Sequence, residues 1–240
     1  MTEFRKMLLS LDGNEDFGKV VESLNATEFY YDDDQGCCLN ICDIDDISDI
    51  LPDDYYLDSS FGATKVVAIL RHMVLKKTYA GYTYTDIENE YEYHEYDREN
   101  SDFDNYSPDY CEIESKVYEA AQEEGIADFF AETCHVCGDV YAQPRFEQNA
   151  DWYLLEEIGS ELTLRDVNEI KRDYQLNIPT VVAAQWFEIY SSEQLMKLSD
   201  FLFRHHINDL HGGNAAMFKD GVFRLIDYSG YNSGTENTLE

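Results

Sequence analysis

Basic residues are scarce in this chain: 17 Lys and Arg stand against 50 Asp and Glu in 240 residues, a formal net charge of -33. A field of that sign repels phosphate backbones and anionic membrane surfaces, and it favours dissolved cations and basic partners. Direct binding to DNA or RNA is therefore not expected, nor is a membrane partner. Long apolar runs are missing as well. The opening MTEFRKMLLSLDGNEDF reaches acidic residues before it builds an apolar core of signal-peptide length, and no later stretch approaches the ~20 residues of a membrane span. A cytoplasmic location is the expectation. Nor is there a disulfide framework in the spacing of Cys37, Cys38, Cys42, Cys111, Cys134 and Cys137, so reduced thiols are expected. Cys134-His135-Val136-Cys137 has the outline of half a zinc site, but no second Cys/His pair follows at finger or ribbon spacing. One pair supplies too few ligands for a closed tetrahedral site. No internal repeat is present.

What is there is a foldable chain, 44% hydrophobic and 28% charged, long enough to bury one core or to divide it between two small lobes that share a cleft. Residues 1–54 read as an acidic N-terminal extension, with helical apolar spacing over Thr2 to Leu11 and Glu15 to Leu24 and then acidic runs. From Leu57 the texture is strand, turn, strand. Val66-Val67-Ala68-Ile69-Leu70, a polar Arg71-His72 break and Met73-Val74-Leu75-Lys76 predict a hairpin. Residues 82–110 interleave seven tyrosines with ten acidic residues and one arginine, and are expected to form a surface loop or partner-binding flap.

Helical spacing over Cys111 to Glu124 stops at Gly125, and a strand-like Asp139 to Gln143 runs into Pro144. Further helices are predicted from Leu164 to Tyr174 and from Ser192, as N-cap, through Arg204. The resulting organisation is an extension (1–54), a sheet-bearing first lobe (55–143, with the insertion 82–110) and a helical second lobe (144–240).

The most informative stretch is His205 to Tyr231. Asp209 is followed five positions later by Asn214, and thirteen further on by Asp227 in Leu225-Ile226-Asp227-Tyr228-Ser229-Gly230. Residues 215–226 between them read as a hairpin turning at Asp220-Gly221. Phosphoryl transfer needs a carboxylate to orient or deprotonate the acceptor hydroxyl, together with a shell of hard oxygen donors for Mg. An Asp and an Asn on one loop, with a second Asp returned by a hairpin, supply those residue types.

Asp209-Leu210-His211-Gly212-Gly213-Asn214 followed by Ile226-Asp227-Tyr228-Ser229-Gly230 resembles the catalytic loop and metal-binding motif of the protein-kinase superfamily. The Asp-Leu-His form is most similar to aminoglycoside and choline phosphotransferases and to small kinase-like proteins encoded by bacteriophages. The resemblance implies an α+β, reduced bilobal fold with an antiparallel-sheet N-lobe and a truncated helical C-lobe. It implies ATP and Mg as cofactors, Asp209 as catalytic base, Asn214 and Asp227 as metal ligands, and His211 near the transferred phosphate. Phe61-Gly62-Ala63-Thr64 resembles the phosphate-covering loop, so Gly62, Ala63 and Thr64 would contact ATP. Met73 to Lys76 resembles the strand that presents the ATP lysine, which makes Lys76 that residue and Lys77 the misleading neighbour. Glu114 on the following helix would pair with it, with Glu112 as runner-up, and Gln143-Pro144 falls where the hinge that holds adenine should be.

The sequence also departs from the family's pattern. Only Gly62 remains of the loop glycines, Ile207 and Asn208 take the His and Arg places of the protein-kinase loop, and Tyr228 replaces the usual Phe. The chain continues only thirteen residues past Asp227, without the helices that form a kinase's peptide-binding floor. The resemblance covers Leu57 to Tyr231. It implies an ATP-dependent phosphotransferase, phage-encoded and acting on a host protein. The alternative on charge grounds is an acidic inhibitor or decoy of a basic, nucleic-acid-binding host protein, and a third is transfer of a nucleotide instead of a phosphate.

Overall fold

Short polar side chains start the first two helices by accepting N–H groups that no helical carbonyl can reach. Thr2 Oγ1 accepts from Arg5 N at 3.1 Å ahead of α1 (Glu3–Ser10), and Asn14 Oδ1 accepts from Phe17 N at 3.0 Å ahead of α2 (Glu15–Ala26). The structure, a computed structural model, describes residues 2–11, 14–27, 29–32, 37–40, 56–61, 65–78, 81–85, 91–95 and 109–229. After α2 come β1 (Phe29–Asp32), β2 (Cys37–Asn40), β3 (Tyr56–Phe61), β4 (Lys65–Leu70), β5 (Met73–Thr78), β6 (Gly81–Thr85) and β7 (Tyr91–Glu95). Then follow α3 (Tyr110–Glu124), β8 (Cys134–Cys137), β9 (Val140–Pro144), β10 (Gln148–Asn149), α4 (Leu164–Asp173), α5 (Thr180–Ile189), α6 (Ser192–Arg204), β11 (Ala215–Met217) and β12 (Phe223–Leu225). The chain is α+β, and it divides into two compact units: Met1–Ser115 with Thr133–Arg145, and Lys116–Glu132 with Phe146–Glu240. No helix among the described residues is long and apolar enough to cross a membrane.

The first unit is built on an antiparallel sheet in the order β3-β4-β5-β9-β8. The expected hairpin is present, with Val67 opposite Lys76 and Lys65 opposite Thr78, and Arg71-His72 is its turn. Successive strand side chains point to opposite faces. Val66, Ala68, Leu70, Met73 and Leu75 share one face, and they form one buried core with Phe17, Val20, Val21 and Leu24 of α2 and Val140 and Ala142 of β9. Fully burying each such Val or Leu contributes about 1.5–3 kcal/mol. The helices read from sequence as part of an extension thus share the core of the sheet.

Within the segment expected from sequence to be a loop, the described residues 82–85 and 91–95 are strands. β6 and β7 pair antiparallel, and β6 runs parallel to β1, in a second sheet ordered β2-β1-β6-β7. The alternating Tyr82, Tyr84 and Tyr91, Tyr93 are a period-two strand signal, and aromatic residues favour strands.

In the second unit α3 closes with the left-handed Gly125 (φ 73°): Ile126 N donates to Ala121 O at 2.9 Å and Gly125 N to Gln122 O at 3.2 Å. α6 begins one residue earlier than expected. Ser191, not Ser192, is its N-cap, because its hydroxyl and the Gln194 side chain three residues on bond each other's backbone N–H groups. Sequence gave no warning of α5, whose Val182, Ala183, Ala184 and Trp186 are all buried; a helix apolar nearly all round has no amphipathic period to detect. α5 pins the β11–β12 hairpin. Trp186 Nε1 donates to Phe223 O at 2.9 Å, while Gln185 accepts from Phe223 N at 2.8 Å and donates to Gly221 O at 2.7 Å. With β10 the hairpin forms the three-stranded sheet β10-β11-β12.

Candidate functional site

Two polar clusters gather the residues singled out by sequence, one in each unit. In the first, strand parity makes the selection. Lys76 and Lys77 are adjacent and so leave opposite faces of the sheet. Lys77 follows Leu75 onto the α2 face, where its Nζ donates to Leu24 O at 3.0 Å and to Asn25 O and Thr27 O at 2.8 Å each. Those carbonyls end α2 and lack helical donors, so Lys77 is that helix's C-terminal cap. Lys76 emerges on the other face, with Nζ 3.2 Å from Glu114 Oε2. Glu112 is exposed, and its backbone N–H, like that of Cys111, is held by Asp109 Oδ1 at the start of α3.

Glu114 is fully buried, and a carboxylate in that position needs cations and donors around it. Three side-chain donors are among its partners. Lys65 Nζ bonds its Oε1, Lys76 Nζ its Oε2, and Gln143 Nε2 also reaches Oε2 at 3.3 Å. Lys65 is two residues before Val67, the cross-strand partner of Lys76, so the two lysines are diagonal neighbours on one face. Gln143 lies opposite Val74 on β9 and joins that face too. Its Nε2 donates to Thr133 Oγ1 at 2.7 Å, while its Oε1 is buried and accepts no hydrogen bond among the described residues. Gln143, expected at a hinge where backbone groups do the binding, places its side chain in the charged cluster. Cys111 lies beside it. Burial pushes its thiol up to about 12, against the pull of Lys65, and the nearby Glu114 adds to the rise. It is a neutral packing group.

The second cluster is the loop between α6 and β11. The chain leaves α6 through His206 in a left-handed conformation (φ 52°), with Ile207 N donating to Leu202 O at 2.9 Å. Ile207 and Leu210 are buried and anchor the loop, leaving Asn208 and Asp209 exposed between them. Asn214 Nδ2 donates to Asp209 O at 2.7 Å, and Asn214 O accepts from Ile226 N at 2.9 Å and from Asp227 N at 3.4 Å. Asp209, Asn214 and Asp227, separated by five and thirteen positions, are therefore joined through hydrogen bonds on Asn214. Ser229 Oγ donates to Asp227 Oδ1 at 3.4 Å, and buried Tyr228 donates to Ala131 O at 2.6 Å, which fixes the backbone just after Asp227.

His211 Nδ1 accepts from Gly213 N at 3.0 Å, so the proton of the neutral ring sits on Nε2, 3.9 Å from Asp209 Oδ1. Gly212 packs closely against Asp151. A Cβ there would stand 1.8 Å from Asp151 Oδ1. Asn149 Nδ2 also holds Gly213 O at 3.2 Å. Asp151 and Asn149 escaped the sequence reading because nothing near them carries a motif. Lys65 escaped it too, although a hairpin turning at Arg71-His72 pairs Val67 with Lys76 and so puts Lys65, two residues before Val67, on the same face.

Gly62, Ala63 and Thr64 lie outside the described residues. Among the described residues no group of three His, Cys, Asp or Glu side chains is placed to hold a metal. The Cys134–Cys137 segment agrees with that: Cys134 is buried, Cys137 is exposed, and His135 Nε2 lies 2.8 Å from Gly138 O. Mg makes a smaller demand, one or two carboxylates with the rest of its shell from phosphates and water. Asp227 and the Asn214 amide oxygen fit that donor set, since Asn214 uses its nitrogen, not its oxygen, on Asp209. No family model matches the chain, and no curated protein matches it.

Proposed function

We propose that this chain binds Mg-ATP and transfers its terminal phosphoryl group to a hydroxyl, as a reduced kinase-like phosphotransferase. The observation that carries the reading is the buried Lys76–Glu114 pair, in which a strand lysine is held at 3.2 Å by a fully buried helix glutamate. A lysine aimed at phosphates needs an anion to fix its rotamer, and sheet parity selects Lys76 over Lys77 for that partner. Support from the second unit is the hydrogen-bonded set Asp209, Asn214 and Asp227.

In this reading Lys76 orients the phosphates, and Asn214 and Asp227 would hold Mg. Mg when bound neutralises phosphate charge. Asp209, exposed at its loop, accepts the proton of the acceptor hydroxyl as the new P–O bond forms and ADP departs. His211 Nε2 lies 3.9 Å from the same carboxylate, beyond hydrogen-bond reach.

Isothermal titration of the full chain with ATP and Mg tests this. Asp227→Ala should abolish binding, whereas Asp209→Ala should bind ATP and transfer nothing. Absence of binding by the wild type at millimolar nucleotide would sink the proposal.

The net charge of -33 supports a second reading, an acidic protein that occupies a basic surface on another protein. Its signature is tight, salt-sensitive association that survives Asp209→Ala. Loss of that association in Asp209→Ala, or indifference to salt, would count against it.

A further inference from the structure

The stretch between Arg145 and Arg165 holds five acidic residues and no Lys or Arg. From Trp152 to Leu164 none of its Trp, Leu or Ile side chains is buried: Trp152, Leu154 and Leu164 are 74%, 64% and 58% exposed, and Leu155, Ile158 and Leu162 are half-buried. Single apolar residues on a surface are ordinary, but six concentrated in one short segment are the kind of exposure that marks a contact site. Polar bonds and ring packing hold the segment in place. Tyr153 packs edge-on to Phe223 at 5.4 Å, Glu157 Oε2 accepts from Leu154 N at 2.8 Å, and Glu188 Oε1 accepts from Ser160 Oγ at 2.7 Å and Glu161 N at 2.9 Å. A backbone fixed by its own hydrogen bonds, with apolar side chains left uncovered, is pre-organised for docking. At its start Asn149 bonds Gly213 O and Asp151 packs against Gly212, which fastens the segment to the loop that carries Asp209.

We infer that residues 151–164 are a docking surface for a basic, amphipathic polypeptide. Charge complementarity selects that partner. Asp151, Glu156, Glu157 and Glu161 stand among the uncovered apolar side chains with no basic residue in the segment, so the partner brings cations to them and apolar side chains to Trp152 and Leu154. An indole face is also the best aromatic receptor for an ammonium or guanidinium. A second copy of this chain would bring more negative charge to the surface, and so would an anionic lipid. On the phosphotransfer reading, and resting on it, the docked polypeptide carries the acceptor hydroxyl, because the surface adjoins the loop of Asp209.

The chain has two tryptophans, and Trp186 is fully buried, so a change of emission on binding at this surface belongs to Trp152. The full chain is titrated with a synthetic peptide of Lys, Leu and Ser, and with one of Lys and Ser alone, while tryptophan emission is followed. The leucine-bearing peptide should shift the emission to shorter wavelength and bind at least about tenfold more tightly than the leucine-free one. Glu156→Lys combined with Glu161→Lys should weaken it at least about tenfold. Glu157 is kept, because its carboxylate holds the Leu154 N–H. Trp152→Phe should remove the emission change, and every variant should bind Mg-ATP as the wild type does. An emission spectrum that stays put, equal affinity for the two peptides, or charge reversal without effect overturns the inference. A shift that grows with protein concentration in the absence of peptide marks a second copy as the occupant and also overturns it. Failure of the peptide with Mg-ATP binding intact leaves the phosphotransfer reading standing. A chain that binds the peptide as expected but no Mg-ATP supports the surface and overturns that reading alone.

Discussion

Lys76 Nζ sits 3.2 Å from Glu114 Oε2, and the neighbouring Lys77 caps α2 from the opposite face of the same strand. Substituting the two lysines should therefore separate two phenotypes. Lys77→Met strips the ammonium from three carbonyls and should cost about 1–3 kcal/mol in urea unfolding while leaving nucleotide affinity alone. Lys76→Met should reduce Mg-ATP affinity. The reverse pattern would mean that the two faces have been assigned the wrong way round.

Glu114→Gln leaves two buried ammonium groups facing an amide. Breaking a buried ion pair from one side costs about 3–5 kcal/mol, so the melting temperature should fall sharply. Glu112→Gln, exposed in the first turn of α3, loses under about 1 kcal/mol of helix-dipole interaction. Scanning calorimetry on both variants compares the two, and equal effects would contradict the burial of Glu114.

Gly212→Ala would set a Cβ 1.8 Å from Asp151 Oδ1 and 3.1 Å from Asp151 N. The carboxylate can swing aside but the backbone has less freedom, so the loop carrying Asp209 must shift. Phosphate transfer should drop with a loss of about 1–3 kcal/mol in stability. Asp151→Gly in the same chain should recover part of it. Full activity in Gly212→Ala alone would contradict this packing.

Two helices end on left-handed residues that are not glycine: Gln175 (φ 55°) after α4 and His206 (φ 52°) after α6. Side chains in that region carry a cost of roughly 1–2 kcal/mol. Gln175→Gly and His206→Gly should each raise stability by about 1 kcal/mol after allowing for the extra freedom glycine gives the unfolded chain. Urea midpoints shifted downward would show that those side chains contribute more than their backbones lose.

His205 caps α6, its ring 4.2 Å from that of Phe201, with Nε2 buried and unbonded among the described residues. Burial pushes its pKa below the usual histidine value, and nearby Arg204 and His206 push the same way against Glu124. Folding therefore favours the neutral ring. That contribution is fully present above the unfolded value of about 6.5, and it is lost as pH falls from there through the depressed folded value. Stability measured from pH 7.5 to pH 5 should decline less in His205→Phe than in wild type; parallel curves would remove His205 as the cause.

Local chemistry made several elements readable in advance. Apolar alternation broken by Arg71-His72 marked β4 and β5, helical spacing ended by Gly125 marked α3, and Asp220-Gly221 marked the β11–β12 turn. Asp209, Asn214 and Asp227 were legible because their spacing is short enough for one loop and one hairpin to join them. The Ser191–Gln194 capping-box spacing does distinguish Ser191 from Ser192 in the sequence. Other features left no local trace: α5 is apolar on too many sides to show a period, and Gln175 and His206 replace the glycine that usually announces a helix end. The choice of Glu114 over Glu112, the separate duties of Lys76 and Lys77, and the recruitment of Lys65 and Gln143 to one carboxylate belong to tertiary structure. The amino-acid order sets which side chains alternate along a strand, but which face becomes apolar core and which meets a buried charge is settled only when α2 covers one side of the sheet and Glu114 approaches the other.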